Sequence, residues 1–267
     1  NWTKNKMLIS IITVVKNDLV RLKKTISSLN YIYNDTNFEH VIVDGSSIDN
    51  TLSFLKNLKR KNNNIIIDTS LDVGIYDAMN LGYELSRGDF MIFLNAGDKL
   101  IANKKHLINT LKKFMKTDIN IICFPFKHEL SGQSILRHPK LKNKDKLPTS
   151  HQAMFFSNLF LEKNKYSLDY KIASDFDLYL RSDRKNVMII SEYEPISVVE
   201  FDGTATENLQ LSYNEYKKII SKRYVGILKF FILAKINVKI VLIILSKKIF
   251  SKNITFRIRK FFSDLLT

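Results

Sequence analysis

The sequence has few of the residues that cross-link or interrupt a fold: one cysteine, four prolines and eight glycines among 267 residues. The single cysteine, Cys123, cannot form an internal disulfide, and its place in the apolar run 119–124 predicts a core position in a protein of a reducing compartment. The scarcity of proline and glycine argues against long disordered linkers. With 45% hydrophobic residues, the chain is long enough for one α/β domain and an appendage.

Several motifs of other protein classes are also missing. No Cys/His cluster has the spacing of zinc ligands, and no Gly-x-x-x-x-Gly-Lys-Ser/Thr phosphate loop occurs. The first residues do not follow the pattern of a signal peptide. These absences argue against zinc-binding and P-loop mechanisms.

The most informative stretch is 89–98, in which an apolar run ends abruptly in a carboxylate held by a glycine turn. Residues 90–94 are too few and too uniformly apolar for a surface helix, so they predict a central strand of a covered parallel sheet. Ligands bind at the carboxyl ends of such strands. Asp98 would then supply oxygens to Mg²⁺ or Mn²⁺, with substrate phosphates supplying others. The alternative is an ordinary solvated turn.

Short apolar runs alternate with segments of helical spacing along the first hundred residues. The runs are 8–14, 38–43, 65–67 and 90–94, and the helical segments are 18–30, a segment starting near Asn50, and 74–86. Strands that alternate with helices in this way imply parallel pairing with right-handed crossovers. The predicted fold class is therefore α/β, with a doubly wound, mostly parallel sheet and helices on both faces. Asp44 and Asp98 would present their carboxylates in one crevice.

Six motifs occur in an order that is characteristic as a set, although no single one is specific. They are Ile9–Asn17, Val41–Thr51, Asp72–Asn80, Asn95–Asp98, His151–Met154 and Ala173–Leu178. In this order they resemble glycosyltransferase family 2, in the bacterial branch that builds polysaccharide repeat units. The resemblance covers roughly residues 7–205.

The resemblance implies a GT-A fold in residues 1–208, with a nucleotide-sugar half in 1–100 and an acceptor half in 101–208. Asp44 looks like the carboxylate that meets a uracil ring, and Asp98 looks like the metal ligand of the family's Asp-x-Asp element. That element is degenerate, because its first carboxylate position holds Asn95 or Ala96. The implied nucleotide-sugar contacts are Thr13, Asn17, Asp44, Asp72, Asp77, Asn80, Asn95 and Ala96.

Asp175 matches the catalytic base of the family and lies at the start of a predicted helix, 174–182. Asp177 is two residues away and does not share its helical face, so the two carboxylates should have different roles. Helix capping is the alternative role for Asp175. His151 and Gln152 open an apolar stretch whose strand would place them at the cleft, where either could bond an acceptor sugar or a donor phosphate. A structural histidine is the alternative there.

The positive charge is concentrated in residues 209–267, which contain ten lysines and three arginines against two acidic residues. The stretch 225–245 is apolar, but Lys229, Lys235 and Lys239 interrupt it, and each would cost roughly 2.5–3.5 kcal/mol at a bilayer centre. The pattern therefore predicts two amphipathic helices, broken near Asn237, that lie in the headgroup plane of an anionic membrane.

The basic tail also has other interpretations. Its helical face could instead pack on the catalytic domain or on a partner in a homo-oligomer. Nucleic-acid binding is not expected, because Phe230, Phe231 and Phe250 follow helical spacing and not that of a stacking platform.

Together these features predict a metal-dependent, inverting glycosyltransferase at the cytoplasmic face of a bacterial inner membrane. It would use Mn²⁺ or Mg²⁺ and transfer a sugar from a nucleotide-sugar, with UDP as the expected nucleotide, to a lipid-linked oligosaccharide of an O-antigen or capsule. A sugar-1-phosphate nucleotidyltransferase is an alternative that would need a glycine-rich loop after the first strand, and 14–22 contain no glycine. A catalytically inactive membrane-associated scaffold is another, suggested by the degenerate turn.

Overall fold

The computed structural model describes residues 6–70, 74–130, 132–141, 146–200, 208–249 and 254. The predicted nucleotide-sugar contact Asp72 lies outside these residues. The described strands are β1 (Ile9–Val15), β2 (Phe38–Asp44), β3 (Ile65–Asp68), β4 (Phe90–Phe93), β5 (Lys99–Leu100), β6 (Ile121–Cys123), β7 (Phe126–Leu130), β8 (Gln133–Arg137), β9 (Met154–Ser157), β10 (Val187–Ile189) and β11 (Ser197–Glu200). The described helices are α1 (Leu19–Leu29), α2 (Thr51–Lys61), α3 (Ile75–Leu85), α4 (Lys104–Lys112), α5 (Asn158–Lys163), α6 (Ser174–Arg181), α7 (Leu209–Arg223) and α8 (Gly226–Ile249).

The main sheet has seven strands in the order β10-β6-β9-β4-β1-β2-β3. All neighbours in it are parallel except β9, which runs antiparallel to β4 and β6. The predicted α/β fold with a mostly parallel sheet is therefore confirmed. A smaller sheet, in the order β5-β11-β7-β8, was not predicted, because its strands are short and β7 and β8 contain few apolar residues.

Helices cover both faces of the main sheet, and alternate side chains of β1 enter two separate core clusters. Ile9 and Ile11 pack in a cluster with α1, α2 and α4, whereas Ile12 and Val14 pack in a cluster with α3, α5 and α6. Full burial of an aliphatic side chain contributes about 1.5–3 kcal/mol. All seven residues of β1 are buried, so the strand is fixed in register at the centre of the sheet.

Helix α7, which follows the last strand, packs against one of these two core clusters. Ile219 and Ile220 are buried in the cluster that contains α6, and the ring of Tyr216 stacks on that of Phe176 with centroids 4.5 Å apart. Helix α7 thus shares a core cluster with the main sheet, and the predicted division at 208/209 stays a prediction.

The predicted helix break near Asn237 is wrong. Helix α8 runs without interruption from Gly226 to Ile249. The chain turns before this helix, at Tyr224 and Val225, and Gly226 has a φ of +62°. Buried residues at intervals of four, Ile232, Ile236 and Ile240, pack one face of α8 inward. This packing outweighs the helix propensity of asparagine, which is less than about 1 kcal/mol below that of alanine. Within the described part of the chain, none of the helices combines the length and hydropathy needed to cross a bilayer.

Candidate active site

The loops after β1 and β2 are tied together at the carboxyl edge of the sheet. Asp44, the last residue of β2, is 1% exposed, and its carboxylate oxygens accept hydrogen bonds from Ser47 N at 3.3 Å and from the Ser47 hydroxyl. The Asn17 N–H donates to Ser47 Oγ at 2.7 Å, and Asn17 Oδ1 accepts from Ile48 N at 2.7 Å. Two of the predicted nucleotide contacts, Asn17 and Asp44, therefore belong to one hydrogen-bonded rim.

Thr13, another predicted nucleotide contact, lies inside the sheet. Its side chain is fully buried, and its hydroxyl is 2.9 Å from Nε2 of His40, whose Nδ1 is 3.2 Å from the Tyr33 hydroxyl. Burial lowers the pKa of His40 to about 3, so the imidazole is neutral. The structure thus does not bring Thr13 to the cleft surface, and its hydroxyl is already used within the core.

The turn after β4 is held by α1. Gly97 N donates to Thr25 Oγ1 at 2.9 Å, and the Thr25 hydroxyl donates to the carbonyl oxygen of Asp98 at 2.8 Å. Gly97 has a φ of +103°, and a Cβ there would lie 2.6 Å from Nε of Arg21. A carboxylate at position 97 would therefore need both a strained backbone and displacement of Arg21. The turn accordingly offers a single carboxylate, that of Asp98.

The carboxylate of Asp98 is directed into the protein, and only 4% of the residue is exposed. Its Oδ2 accepts from Gln152 Nε2 at 2.8 Å, and its Oδ1 accepts a longer bond from Glu200 N at 3.3 Å. Burial raises the pKa of Asp98 to about 6, although the bond from Gln152 and the nearby His151 oppose this change. Ala96 is buried beside it in the core and contributes no side-chain polar group.

Asn95, His151 and Asp175 form a chain of polar contacts across three elements. Asn95 Nδ2 is 3.3 Å from His151 Nε2, and His151 Nδ1 is 3.4 Å from Asp175 Oδ2. When the Asn95 amide donates to Nε2, the imidazole proton lies on Nδ1 and faces Asp175. Asp177, by contrast, forms an ion pair with Arg181 at 3.2 Å. The two carboxylates of α6 thus have different surroundings.

Two stacked tyrosines lie near Asp175. The rings of Tyr76 and Tyr166 have centroids 5.2 Å apart, and the Tyr76 hydroxyl donates to the carbonyl of Ile172 at 2.5 Å. Burial raises the pKa of both tyrosines well above the ordinary value, and the charge of Asp175 raises both further. Both hydroxyls therefore remain protonated at neutral pH.

Asp77 and Asn80, the predicted donor contacts on α3, differ in how they are used. Asn80 makes reciprocal bonds with the backbone of Tyr166, donating to its carbonyl and accepting from its N–H at 2.9 Å each. Its amide is therefore occupied within the protein. Asp77 lies in the first turn of α3, where a carboxylate favours the helix dipole.

Sequence reasoning missed Glu215, which fixes the segment that leads to Asp175. Its carboxylate on α7 is buried and accepts from the N–H groups of Lys171, Ile172 and Ala173 at 2.8, 2.9 and 2.9 Å. A signal was present, because Glu215 is one of only two acidic residues in the basic region 209–267.

The β4 turn contains two side chains, Asn95 and Asp98, whose oxygen atoms are of a kind that binds divalent cations. In the described part of the chain, the buried Asn95 Oδ1 has no hydrogen-bond partner, and two of the roughly four acceptor positions of the Asp98 carboxylate are filled. Amide and carboxylate oxygens are ligands that Mg²⁺ and Mn²⁺ accept. Among the described residues no group of three or more His, Cys, Asp or Glu side chains could hold a metal. Phosphate oxygens and water would have to complete the coordination.

Residues 10–176 match the sequence profile of the family described as Glycosyl transferase family 2. A PGL/p-HBAD biosynthesis glycosyltransferase of Mycobacterium bovis is 31% identical over 183 residues, which cover 62% of this chain and 65% of that protein. An uncharacterized glycosyltransferase of Mycobacterium tuberculosis is 28% identical over 187 residues, which cover 65% of this chain and 68% of that protein. The chain thus spans slightly less than two thirds of the length of the first relative.

Two solved structures share the fold. One is S. aureus TarS in complex with UDP-GlcNAc, with a TM-score of 0.61 and 18% identity over 86% of this chain and 71% of that one. The other is the mannosyltransferase PcManGT from Pyrobaculum calidifontis in complex with GDP-Man and Mn²⁺, with a TM-score of 0.61 and 12% identity over 99% of this chain and 82% of that one. Both likenesses concern the fold, which is of the GT-A type.

Proposed function

This chain belongs to glycosyl transferase family 2, and from that premise we propose that it is an inverting transferase that moves a sugar from a nucleotide-sugar to a hydroxyl group. The observation that carries the proposal is the contact chain from Asn95 through His151 to Asp175, which adjoins the turn that contains Asp98. It connects a candidate base to a candidate cation site within one cleft.

Asp175 would act as the general base. The attacking hydroxyl must lose a proton as it bonds to the sugar, and a carboxylate within hydrogen-bond reach contributes about 10²–10⁴-fold to the rate. The Nδ1–H of His151 would hold Oδ2 of Asp175 in place, while Glu215 fixes the backbone just before it. One base and a single in-line displacement invert the anomeric centre, so an α-linked donor would give a β-linked product.

The donor would bind across the ends of β1, β2 and β4. Asn17 and Asp44 on the rim would hold the nucleoside, whereas Asn95 and Asp98 would hold a divalent cation. A bound Mn²⁺ or Mg²⁺ would neutralise the charge that the leaving diphosphate gains. Gln152 would keep one oxygen of Asp98 oriented by its 2.8 Å bond. The UDP preference is supported by the likeness of Asp44 to the family's uracil contact.

Incubation with a panel of nucleotide-sugars tests this function. We expect slow release of nucleoside diphosphate from one donor in the presence of Mn²⁺ or Mg²⁺, since water can replace the acceptor. A nucleotidyltransferase would instead cleave the nucleotide-sugar with added pyrophosphate, releasing a nucleoside triphosphate and a sugar 1-phosphate. Absence of both reactions, together with no donor-induced rise in melting temperature, would favour the inactive scaffold.

The acceptor proposal is supported by the outer face of α8, which we define as Phe230, Phe231, Val238, Val241 and Leu242. All five side chains are exposed. The exposed Lys235 lies at the edge of this face on a helix whose opposite face is packed inward, and the combination of apolar and basic residues suits an anionic lipid surface. We propose that α8 lies on the cytoplasmic side of a bacterial inner membrane and that the acceptor is lipid-linked, as in O-antigen or capsule synthesis.

Replacing Phe230 and Phe231 with serine should weaken binding to vesicles that contain anionic phospholipid by at least about tenfold, because each buried phenylalanine contributes about 1.5–3 kcal/mol. The change leaves the inward face of α8 intact. Leu159→Ser is the matched control, since Leu159 and Phe230 are both 68% exposed and Leu159 lies on α5.

Salt should weaken the vesicle binding of the full chain without abolishing it, because each basic residue contributes about 1 kcal/mol that is screened over a Debye length. Co-sedimentation at low and high salt separates the electrostatic part of binding, which salt screens, from the part that comes from buried apolar side chains, which salt does not screen. Equal binding of the double variant and the control would contradict the membrane proposal.

A further inference from the structure

A cavity of about 460 Å³ lies on the side of the molecule away from the candidate active site. It is lined by the C-terminal ends of α6 and α7 and by the turn before β10. Because β10 is parallel to β6, this turn lies at the amino edge of the sheet, opposite the edge that carries Asp44 and Asn95. Helix α6 connects the two regions, with Asp175 near its start and Arg181 at its end.

Three arginines are among the residues that line this cavity: Arg181, Arg184 and Arg223. Arg181 is already used, because it forms an ion pair with Asp177 and donates to the carbonyl of Lys165 at 2.6 Å. Burial lowers the pKa of Arg181, and the nearby charge of Arg223 lowers it further. The positive charges of Arg181 and Arg223 are therefore close enough to act on each other.

The other two arginines have no carboxylate partner among the described residues. Arg184 donates to the carbonyl oxygen of Leu141, and Arg223 is exposed on the last turn of α7. The acidic residue of the cavity wall, Asp183, pairs with Lys185 at 3.7 Å. Arg184 and Arg223 therefore contribute two positive charges to the cavity wall that form no ion pair among the described residues.

The partial negative charges at the C-terminal ends of α6 and α7 are too small to balance the positive charges of both Arg184 and Arg223. The cavity receives the C-terminal ends of α6 and α7, and each end carries a partial charge of about −0.5. Their sum is about −1, and the short α6 contributes less than a full helix would. At least one positive charge remains in excess, in a cavity whose volume lies within the range of small-ligand pockets.

We propose that this cavity binds a phosphate-bearing anion through Arg184 and Arg223, with the Tyr224 hydroxyl, which also lines it, as a further donor. Arginine matches phosphate geometry with two parallel N–H groups, and such charge-assisted bonds are stronger than neutral ones. The site is separate from the transfer chemistry and does not depend on the proposed reaction.

Two sources of the phosphate are compatible with this chemistry: a lipid headgroup and a soluble phosphorylated compound. The residues that follow Tyr224 place apolar side chains beside the cavity, because Val225, Ile227 and Leu228 are exposed at the start of α8. A headgroup phosphate with acyl chains meeting these residues would use both features. A soluble phosphate would use only the arginines.

Arg223→Gln in the full chain is the central variant, because Arg223 is exposed and its replacement should not disturb folding. Lys222→Gln is the matched control: it removes the same charge one residue away, from a side chain that instead pairs with Asp169 at 3.8 Å. Arg223→Lys retains the charge but not the paired N–H geometry. Circular dichroism melting curves establish that each variant is folded.

Two binding measurements separate the sources. One titrates glycerol 1-phosphate by calorimetry, and the other measures binding to phosphatidylcholine vesicles with and without phosphatidylglycerol. We expect Arg223→Gln to weaken at least one of them by about tenfold or more, Arg223→Lys to restore part of the loss, and Lys222→Gln to have little effect. Loss in the vesicle measurement alone supports a lipid headgroup, and loss in the calorimetric one alone supports a soluble phosphate. Equal effects of Arg223→Gln and Lys222→Gln in both measurements would overturn the proposal.

Discussion

Asp175→Asn should lower turnover by about two to four orders of magnitude while nucleotide-sugar affinity stays near normal. The amide keeps the shape of the side chain and can still accept a hydrogen bond from Nδ1 of His151, but it cannot take a proton from the acceptor. Steady-state rates at saturating donor, with donor affinity from calorimetry, separate the two quantities.

Asp177→Asn is the control for this variant. It makes the same substitution two residues along α6, on a carboxylate that is paired with Arg181 at 3.2 Å and does not contact His151 in the polar chain. Its turnover should stay within a few-fold of the parent protein. Joint loss of donor binding and turnover in Asp175→Asn would reassign Asp175 to the donor site, and a product of retained configuration would exclude a single displacement.

Asp98→Asn should lower turnover by at least about two orders of magnitude, because a cation that stabilises transition-state charge contributes several kcal/mol. Metal-dependent donor binding should weaken as well. The melting temperature should change little, since burial of Asp98 already disfavours its charged form and raises its pKa to about 6. Calorimetry with and without Mn²⁺, together with melting curves, measures these effects.

Asp89→Asn provides a matched control at the other end of the same strand. Asp89 accepts a bond from Leu8 N at 2.9 Å and lies at the amino edge of the sheet, so its replacement should leave donor binding unchanged. Full activity of the parent protein in excess chelator, or unchanged turnover of Asp98→Asn, would be incompatible with the metal proposal.

Most of the main sheet could be predicted because its strands are short, continuous apolar runs. The run 90–94 predicted β4 to within one residue, and 38–43 predicted β2 to within one. An uninterrupted apolar run is a local feature of the sequence, so these strands could be recognised without knowledge of the tertiary structure. The smaller sheet could not be predicted, because the two residues of β5 have no pattern and are held by tertiary pairing with β11.

The candidate site was predictable only in part for a related reason. Motifs single out Asp98, His151 and Asp175, but no spacing rule states that His151 Nδ1 lies 3.4 Å from a carboxylate 24 residues later. The role of Gly97 likewise depends on Arg21, which comes from another element. Thr13 fits its motif, yet its hydroxyl bonds to His40 in the sheet interior.

Glu215 also has a mechanical consequence. It joins α7 to the backbone just before Asp175, and α8 follows eleven residues later in the chain. Glu215 lies eight residues before the end of α7 at Arg223, which is roughly 12 Å of helix at 1.5 Å per residue, and Tyr224 and Val225 form the turn that leads to α8. If α8 rests on a membrane, the rigid connection through α7 would keep the proposed base Asp175 at a constant distance from the lipid surface. Acceptors would then be chosen by how far their growing end extends from the surface, so the enzyme would measure length as well as recognise a sugar.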